Sequence, residues 1–189
     1  MDKQVRKMGK NINHFIPLVL IGIGLIILGL VAAGVISNRG ITADDIVVPS
    51  KVNFPAPEIT LNNLKGERVS ISDYNQQVVL INNWATWCPP CKAEMPTLSK
   101  YFKEHSDQGF MLVGINAGDP ADEVANFVDE YGLTFPILLD PNNKSLIFFH
   151  TDNLPSSYVI NRDGNVVLAW SGPISQAMLE KYVTPLLEQ

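Results

Sequence analysis

The sequence predicts an α/β domain, a central sheet flanked by helices, joined to a single membrane-spanning helix at the N-terminus. Three observations predict it. Strand-like and helix-like segments alternate from residue 58 onward. The run Val78-Val79-Leu80-Ile81 is continuously apolar, as in a strand covered on both faces. Phe15 to Ile36 is 22 consecutive residues without a charged or polar side chain.

At about 1.5 Å rise per residue those 22 residues make a helix of about 33 Å, enough for a bilayer core of about 30 Å. Pro17 falls in the first turn, where a missing N–H costs little. Residues 1–14 carry Lys3, Arg6, Lys7 and Lys10 against Asp2, and Arg39 and then Asp44 and Asp45 lie beyond the far end. The positive-inside rule keeps 1–14 cytoplasmic and sends 37–189 across the membrane. Val31-Ala32-Ala33 resembles a cleavage site, but the apolar run exceeds the roughly 7–15 residues of a signal peptide, so an uncleaved anchor is expected. Residues 37–57, with Gly40, Pro49, Pro55 and Pro57, read as an extended, mobile linker to a domain at 58–189. About 132 residues suffice for one buried core.

Within the domain, Ile59/Leu61 and Val69/Ile71 flank Lys65-Gly66 as a hairpin. After the strand at 78–81 a helix starts near Cys88, with Met95, Leu98, Phe102 and Tyr101 as its buried stripe and Pro96 expected to kink it. Phe110 to Asn116 is a strand. Asp119-Pro120 opens a helix through Val124, Phe127, Val128 and Tyr131, ended by Gly132. Phe135 to Leu139 is a strand, and Asp140-Pro141-Asn142 turns into a brief helix through Leu146, Ile147 and Phe149. Ser156 to Ile160 and Val166 to Trp170 are strands about the turn Asn161-Arg162-Asp163-Gly164. Ser175 caps a last helix with Leu179, Tyr182, Val183 and Leu186 facing in. The alternation implies a largely parallel sheet.

Charge divides at the anchor. Residues 1–40 hold five Lys/Arg and one acid (+4), and 41–189 hold nine and eighteen (−9), which together give −5. An acidic domain without a basic cluster argues against nucleic acid as a partner.

Cys88 and Cys91 are the only cysteines, in Trp84-Ala85-Thr86-Trp87-Cys88-Pro89-Pro90-Cys91-Lys92. As a staple the pair is poor, since a four-residue loop gives about 2 kcal/mol against roughly 3 for fifteen residues. Strand–Cys-x-x-Cys–helix order instead puts the first sulfur at a helix N-terminus, where free N–H groups and the dipole favour a thiolate. That pattern points to redox chemistry.

Val-Val-Leu-Ile-Asn-Asn-Trp-Ala-Thr-Trp-Cys-Pro-Pro-Cys-Lys-Ala-Glu-Met-Pro at 78–96 and Leu-Pro-Ser-Ser-Tyr-Val-Ile-Asn-Arg-Asp-Gly at 154–164 resemble the membrane-anchored thioredoxin-like TlpA/ResA group, over about residues 52–187. The resemblance implies a thioredoxin-like mixed sheet with an N-terminal β-hairpin and one strand–helix insertion at about 133–150. It implies that Cys88 is the exposed attacking thiol, Cys91 the buried resolving thiol, and Pro155 a cis-proline against the pair that presents backbone to substrate. Trp87, Pro89 and Pro90 frame the pair, with Trp87 as its shield and Trp84 in the core. The chain departs from thioredoxins in having Asn82 where they carry a buried Asp, and Pro89 where ResA-like members can carry Glu. Asn83 replaces an aromatic residue. Glu94 is then the nearby acid, either a proton-handling group or a first-turn surface acid. Lys92 is either a thiolate partner or an exposed lysine, and His14, His105 and His150 read as surface residues.

The function implied is extracytoplasmic thiol–disulfide exchange, in the reducing direction, for example on apocytochrome c cysteines. A disulfide-bearing protein is the substrate, and a membrane electron donor restores the dithiol; no cofactor or metal is implied. Three readings compete. A copper(I) carrier would use the Cys pair with a distal histidine such as His150. A thiol peroxidase would need Pro-x-x-x-Thr/Ser-x-x-Cys, but Ala85 stands three residues before Cys88. A cell-surface interaction module would use the disulfide only as structure.

Overall fold

The structure, a computed structural model, describes residues 47–188. The expected basic segment 1–14, the helix at 15–36 and His14 lie outside the described residues, within which no helix is long and apolar enough to cross a membrane. The elements are β1 (Ser50–Pro55), β2 (Thr60–Asn63), β3 (Arg68–Ser70), β4 (Val78–Trp84), α1 (Pro89–His105), β5 (Phe110–Ala117), α2 (Ala121–Tyr131), β6 (Ile137–Asp140), α3 (Lys144–Phe148), β7 (Ser156–Ile160), β8 (Asn165–Ser171), α4 (Gln176–Tyr182) and α5 (Thr184–Leu187).

They build one eight-stranded sheet in the order β1-β8-β7-β4-β5-β6-β2-β3. Only β4–β5 and β5–β6 pair in parallel; every other pairing is antiparallel. The sheet is therefore mixed, and the largely parallel expectation is corrected. Two hairpins cause the difference. The β7–β8 hairpin turns at Gly164 (φ +80) and joins the free side of β4, while β2–β3 extends the sheet beyond β6.

The linker expectation at 37–57 is corrected over its last part only, since residues 37–46 lie outside the described residues. Residues 50–55 of that segment form β1, which pairs with β8 from Ser50↔Ala169 to Pro55↔Asn165. Pro49 and Pro55 stand outside and at the end of an edge strand, where a missing N–H costs no ladder bond.

The core has two layers because strand side chains alternate between faces. Val78, Leu80 and Trp84 pack with Met95, Leu98 and Tyr101 of α1, whereas Val79 and Ile81 pack with Ile59, Val113, Tyr158 and Phe149 on the opposite face. α1 continues through Pro96, which lies on its exposed side. Phe102 is only partly buried. α2 ends at Gly132 in the left-handed conformation, and Ser175 Oγ caps α4 by accepting from Met178 N–H. In the insertion, Phe149 is buried but Ile147 and Phe148 are exposed, so the brief helix buries Ser145 rather than Ile147.

Candidate active site

β4 runs up the middle of the sheet with all seven residues buried and delivers the chain to Cys88 at the N-cap of α1. Pro89 and Pro90 occupy the first two helical positions, where their fixed φ suits the helix and no N–H is needed. The Cys91 N–H is consequently the first free donor of α1, and it donates to Cys88 Sγ at 3.3 Å. No acidic residue sits in the first turn to oppose negative charge there. Cys88 and Cys91 form a disulfide, S–S 2.04 Å, with Cα atoms 5.3 Å apart. Cys88 is 3% exposed and Cys91 0%. Cys88 is therefore covered in this oxidised state, where the resemblance implies an exposed thiol.

The turn before Cys88 is held by residues that sequence reading missed. Asp119 Oδ2 accepts from Thr86 N–H at 2.6 Å and from Asn116 Nδ2 at 2.8 Å, and Asn116 Oδ1 accepts from Asp119 N–H at 3.1 Å. The end of β5 thus clamps the loop that presents the cysteines. In the sequence Asp119-Pro120 reads only as a helix start; two polar residues at one strand end, Asn116 and Asp119, were the available signal.

The Leu154–Pro155 peptide is cis, and Pro155 is buried. The pairings Asn82↔Ser157 and Asn83↔Ser156 place Pro155 opposite Trp84, at the end of β4 that leads to Cys88. Pro155 O accepts from Gly172 N–H at 2.8 Å.

Below the pair, on the α1 face, Glu94 is 2% exposed. The reading of a surface acid is thereby overturned. Its Oε1 accepts from Asn82 Nδ2 at 2.8 Å and its Oε2 from Ile174 N–H at 2.8 Å. Burial raises its pKa from 4.5 to about 7, with the Ile174 and Asn82 hydrogen bonds pulling the other way. Asn82 Nδ2 also donates to Ser157 Oγ at 2.9 Å, while its buried Oδ1 has no partner. Glu94 lies three residues beyond Cys91, hence on the same face of α1. Thus the carboxyl absent from strand position 82 reaches the same layer from the helix.

Trp87 is 68% exposed, so it stands at the surface beside the pair and not over it as a closed lid. Lys92 is exposed, with Nζ 6.0 Å from the Phe127 ring centroid. His150 is exposed, whereas His105 is half-buried, its ring tilted at 40° against Tyr101 with centroids 4.3 Å apart and its Nε2 3.8 Å from Glu180. Among the described residues one group of three His, Cys, Asp or Glu ligand atoms lies within 4.8 Å of one another, Glu104, His105 and Glu180, which leaves out both cysteines and His150.

A mixed sheet of this order, a Cys-x-x-Cys disulfide capping the helix that follows its central strand, and a cis-proline at the adjoining strand end define a thioredoxin-like thiol–disulfide oxidoreductase. The AhpC/TSA family profile matches residues 52–169. ResA, a thiol-disulfide oxidoreductase of Bacillus subtilis, is 34% identical over 128 residues, 68% of this chain and 72% of its own. The ResA of Geobacillus kaustophilus is 33% identical over 132 residues, 70% and 76% of the two chains. The structure of StoA from Bacillus subtilis matches with a TM-score of 0.59 at 28% identity, covering 69% of this chain and 98% of that one. A thioredoxin-family thiol:disulfide interchange protein from Chlorobium tepidum matches at 0.65 and 28%, covering 73% and 99%. The chain belongs to the AhpC/TSA family, among its ResA-like thiol–disulfide oxidoreductases.

Proposed function

We propose that this chain reduces disulfides of exported proteins from the outer side of the cell membrane, with Cys88 as nucleophile. The observation that carries the chemistry is the Cys91 N–H directed at Cys88 Sγ at the start of α1. In the reduced protein that donor and the helix dipole stabilise a Cys88 thiolate. The thiolate attacks one sulfur of the substrate disulfide, and the other leaves as a thiolate that takes a proton from solvent. Cys91 then attacks the Cys88 sulfur of the mixed disulfide, releasing the second substrate thiolate and leaving Cys88–Cys91 oxidised. The Cys91 thiol must lose a proton to do so, and Glu94, one turn along α1 with a pKa of about 7, is the acceptor suited to ambient pH. Two electrons from a membrane dithiol donor restore the pair.

The location rests on the 22-residue apolar run at 15–36 and the basic 1–14 segment before it. The substrate class, with apocytochrome c cysteines as an instance, rests on the likeness to the TlpA/ResA group. Against the copper(I) carrier stands the lack of a third ligand grouped with the cysteines among the described residues. Against the peroxidase stands Ala85.

The test uses the full chain in detergent. Cys88→Ser should abolish turnover of a protein disulfide, and Cys91→Ser should accumulate the mixed disulfide as a covalent adduct on non-reducing gels. Wild-type turnover in Cys88→Ser would reject the assigned nucleophile. Tight copper(I) binding without turnover would favour the carrier.

A further inference from the structure

Asn83 has no part in the exchange steps, yet it is a fully buried polar residue beside the site, on the face of β4 turned away from α1. Such a side chain costs free energy unless its amide is satisfied. Its Nδ2 donates to Ser156 Oγ at 3.2 Å, and its Oδ1 accepts from Ser145 Oγ at 2.6 Å. Ser145 belongs to α3 of the insertion. The Ser145 N–H donates to Asp140 Oδ2 at 2.7 Å, and the Lys144 N–H to Asp140 Oδ1 at 3.0 Å. Asp140, Ser145, Asn83 and Ser156 are all buried. A continuous polar chain therefore runs from the end of β6, through the first turn of α3, to the residue that follows Pro155.

We infer that Asn83 is a positioning residue for substrate: it fixes the Pro155 backbone against which a polypeptide lies, and makes that placement depend on α3. Two consecutive residues of β4 grip two consecutive residues of β7 from opposite faces, Asn82 on Ser157 and Asn83 on Ser156. The Ser145 hydroxyl gives its hydrogen to Asn83 Oδ1, which turns Nδ2 toward Ser156. An aromatic side chain at position 83 would fill the space but exert no directional hold. Loss of the hold loosens the Pro155 segment without touching either sulfur, so a polypeptide feels it and a small disulfide does not.

The inference rests on the exchange reading, and its test keeps the two apart. The full chain and its Asn83→Leu, Ser145→Ala and Ser156→Ala variants are assayed on insulin and on hydroxyethyl disulfide with the same reductant. We expect KM for insulin to rise about three- to tenfold in each variant, with kcat and the small-disulfide rate within about twofold. The equilibrium with glutathione should stay unchanged. Ser145→Ala is the sharpest arm, because it deletes one hydroxyl on α3, and both serine variants stand in if Asn83→Leu does not fold. A lower melting temperature with unchanged insulin KM in the serine variants makes the chain purely structural and overturns the inference. Equal losses on both disulfides overturn it too, since the effect would then lie on Cys88. Inactivity of the unchanged protein toward both disulfides rejects the exchange reading, and this inference with it, and differs from either result.

Discussion

Glu94 brings a carboxyl into the apolar layer under the cysteine pair, where desolvation holds its pKa at about 7. The sign of its effect on stability follows from proton binding. Between the unfolded value of 4.5 and the folded value of about 7 the native state holds the proton and the unfolded chain does not. Stability is therefore greatest below about pH 4.5 as far as this group is concerned, and falls as pH rises through 7, by a total of about 3 kcal/mol. Urea denaturation of the oxidised protein at a series of pH values should give that decline, and Glu94→Gln should flatten it. Equal slopes in the two proteins would remove Glu94 as its source. This burial was hidden in the sequence because an acid near a helix start looks the same whether it faces solvent or the sheet. The Cys91–Glu94 spacing gave the face only once Cys91 was known to point inward. The cysteines themselves were legible, because no other pair existed and the strand–Cys–helix order is local.

Among the elements, β4 and β5 form the long parallel pair that carries the site, and Gly114 of β5, paired with Asn82 and Ile137, leaves room for the side chains packed over it. A Cβ there would meet Ile137 Cδ1 at 2.8 Å, Phe135 Cε2 at 3.0 Å and Trp84 Nε1 at 3.0 Å. The isoleucine end can move, but the two aromatic rings are packed in the core. Gly114→Ala should thus destabilise by about 1–3 kcal/mol through overpacking, read as a lower urea midpoint at unchanged m-value. An unaltered midpoint would mean that the rings yield freely. Helices α1, α2 and α4 were legible because each shows one apolar stripe with a start or stop signal. Strand direction was not, since all five residues of β7 are buried and such a run reads alike in parallel and antiparallel pairing. β1 escaped notice for a different reason. Its side chains are mostly exposed, so its order comes from the ladder to β8 and not from an apolar pattern.

At the scale of the whole molecule the question is where the folded domain begins, and β1 moves that boundary ahead of residue 58. β1 covers the outer edge of β8, whose residues from Asn165 to Ala169 pair with it. Just before it, Val47 O accepts from Trp170 Nε1 at 3.2 Å, and the Val47 side chain closes over Gly172 with Cγ2 3.1 Å from the position of an added Cβ. Trp170 is among the largest fully covered side chains of the core. Removing residues up to 57 would leave its indole N–H without that acceptor and turn β8 into a bare edge with unpaired N–H and C=O groups, a template for pairing with another chain. A fragment of residues 58–189 should therefore be less stable than one of 47–189 by roughly 2–4 kcal/mol in urea, the sum of a lost strand ladder and an unsatisfied buried donor. It should also self-associate in sedimentation velocity at concentrations where the longer fragment stays monomeric. Equal midpoints and equal sedimentation would show that β1 only rests on the sheet, and the domain would then begin at Glu58 after all.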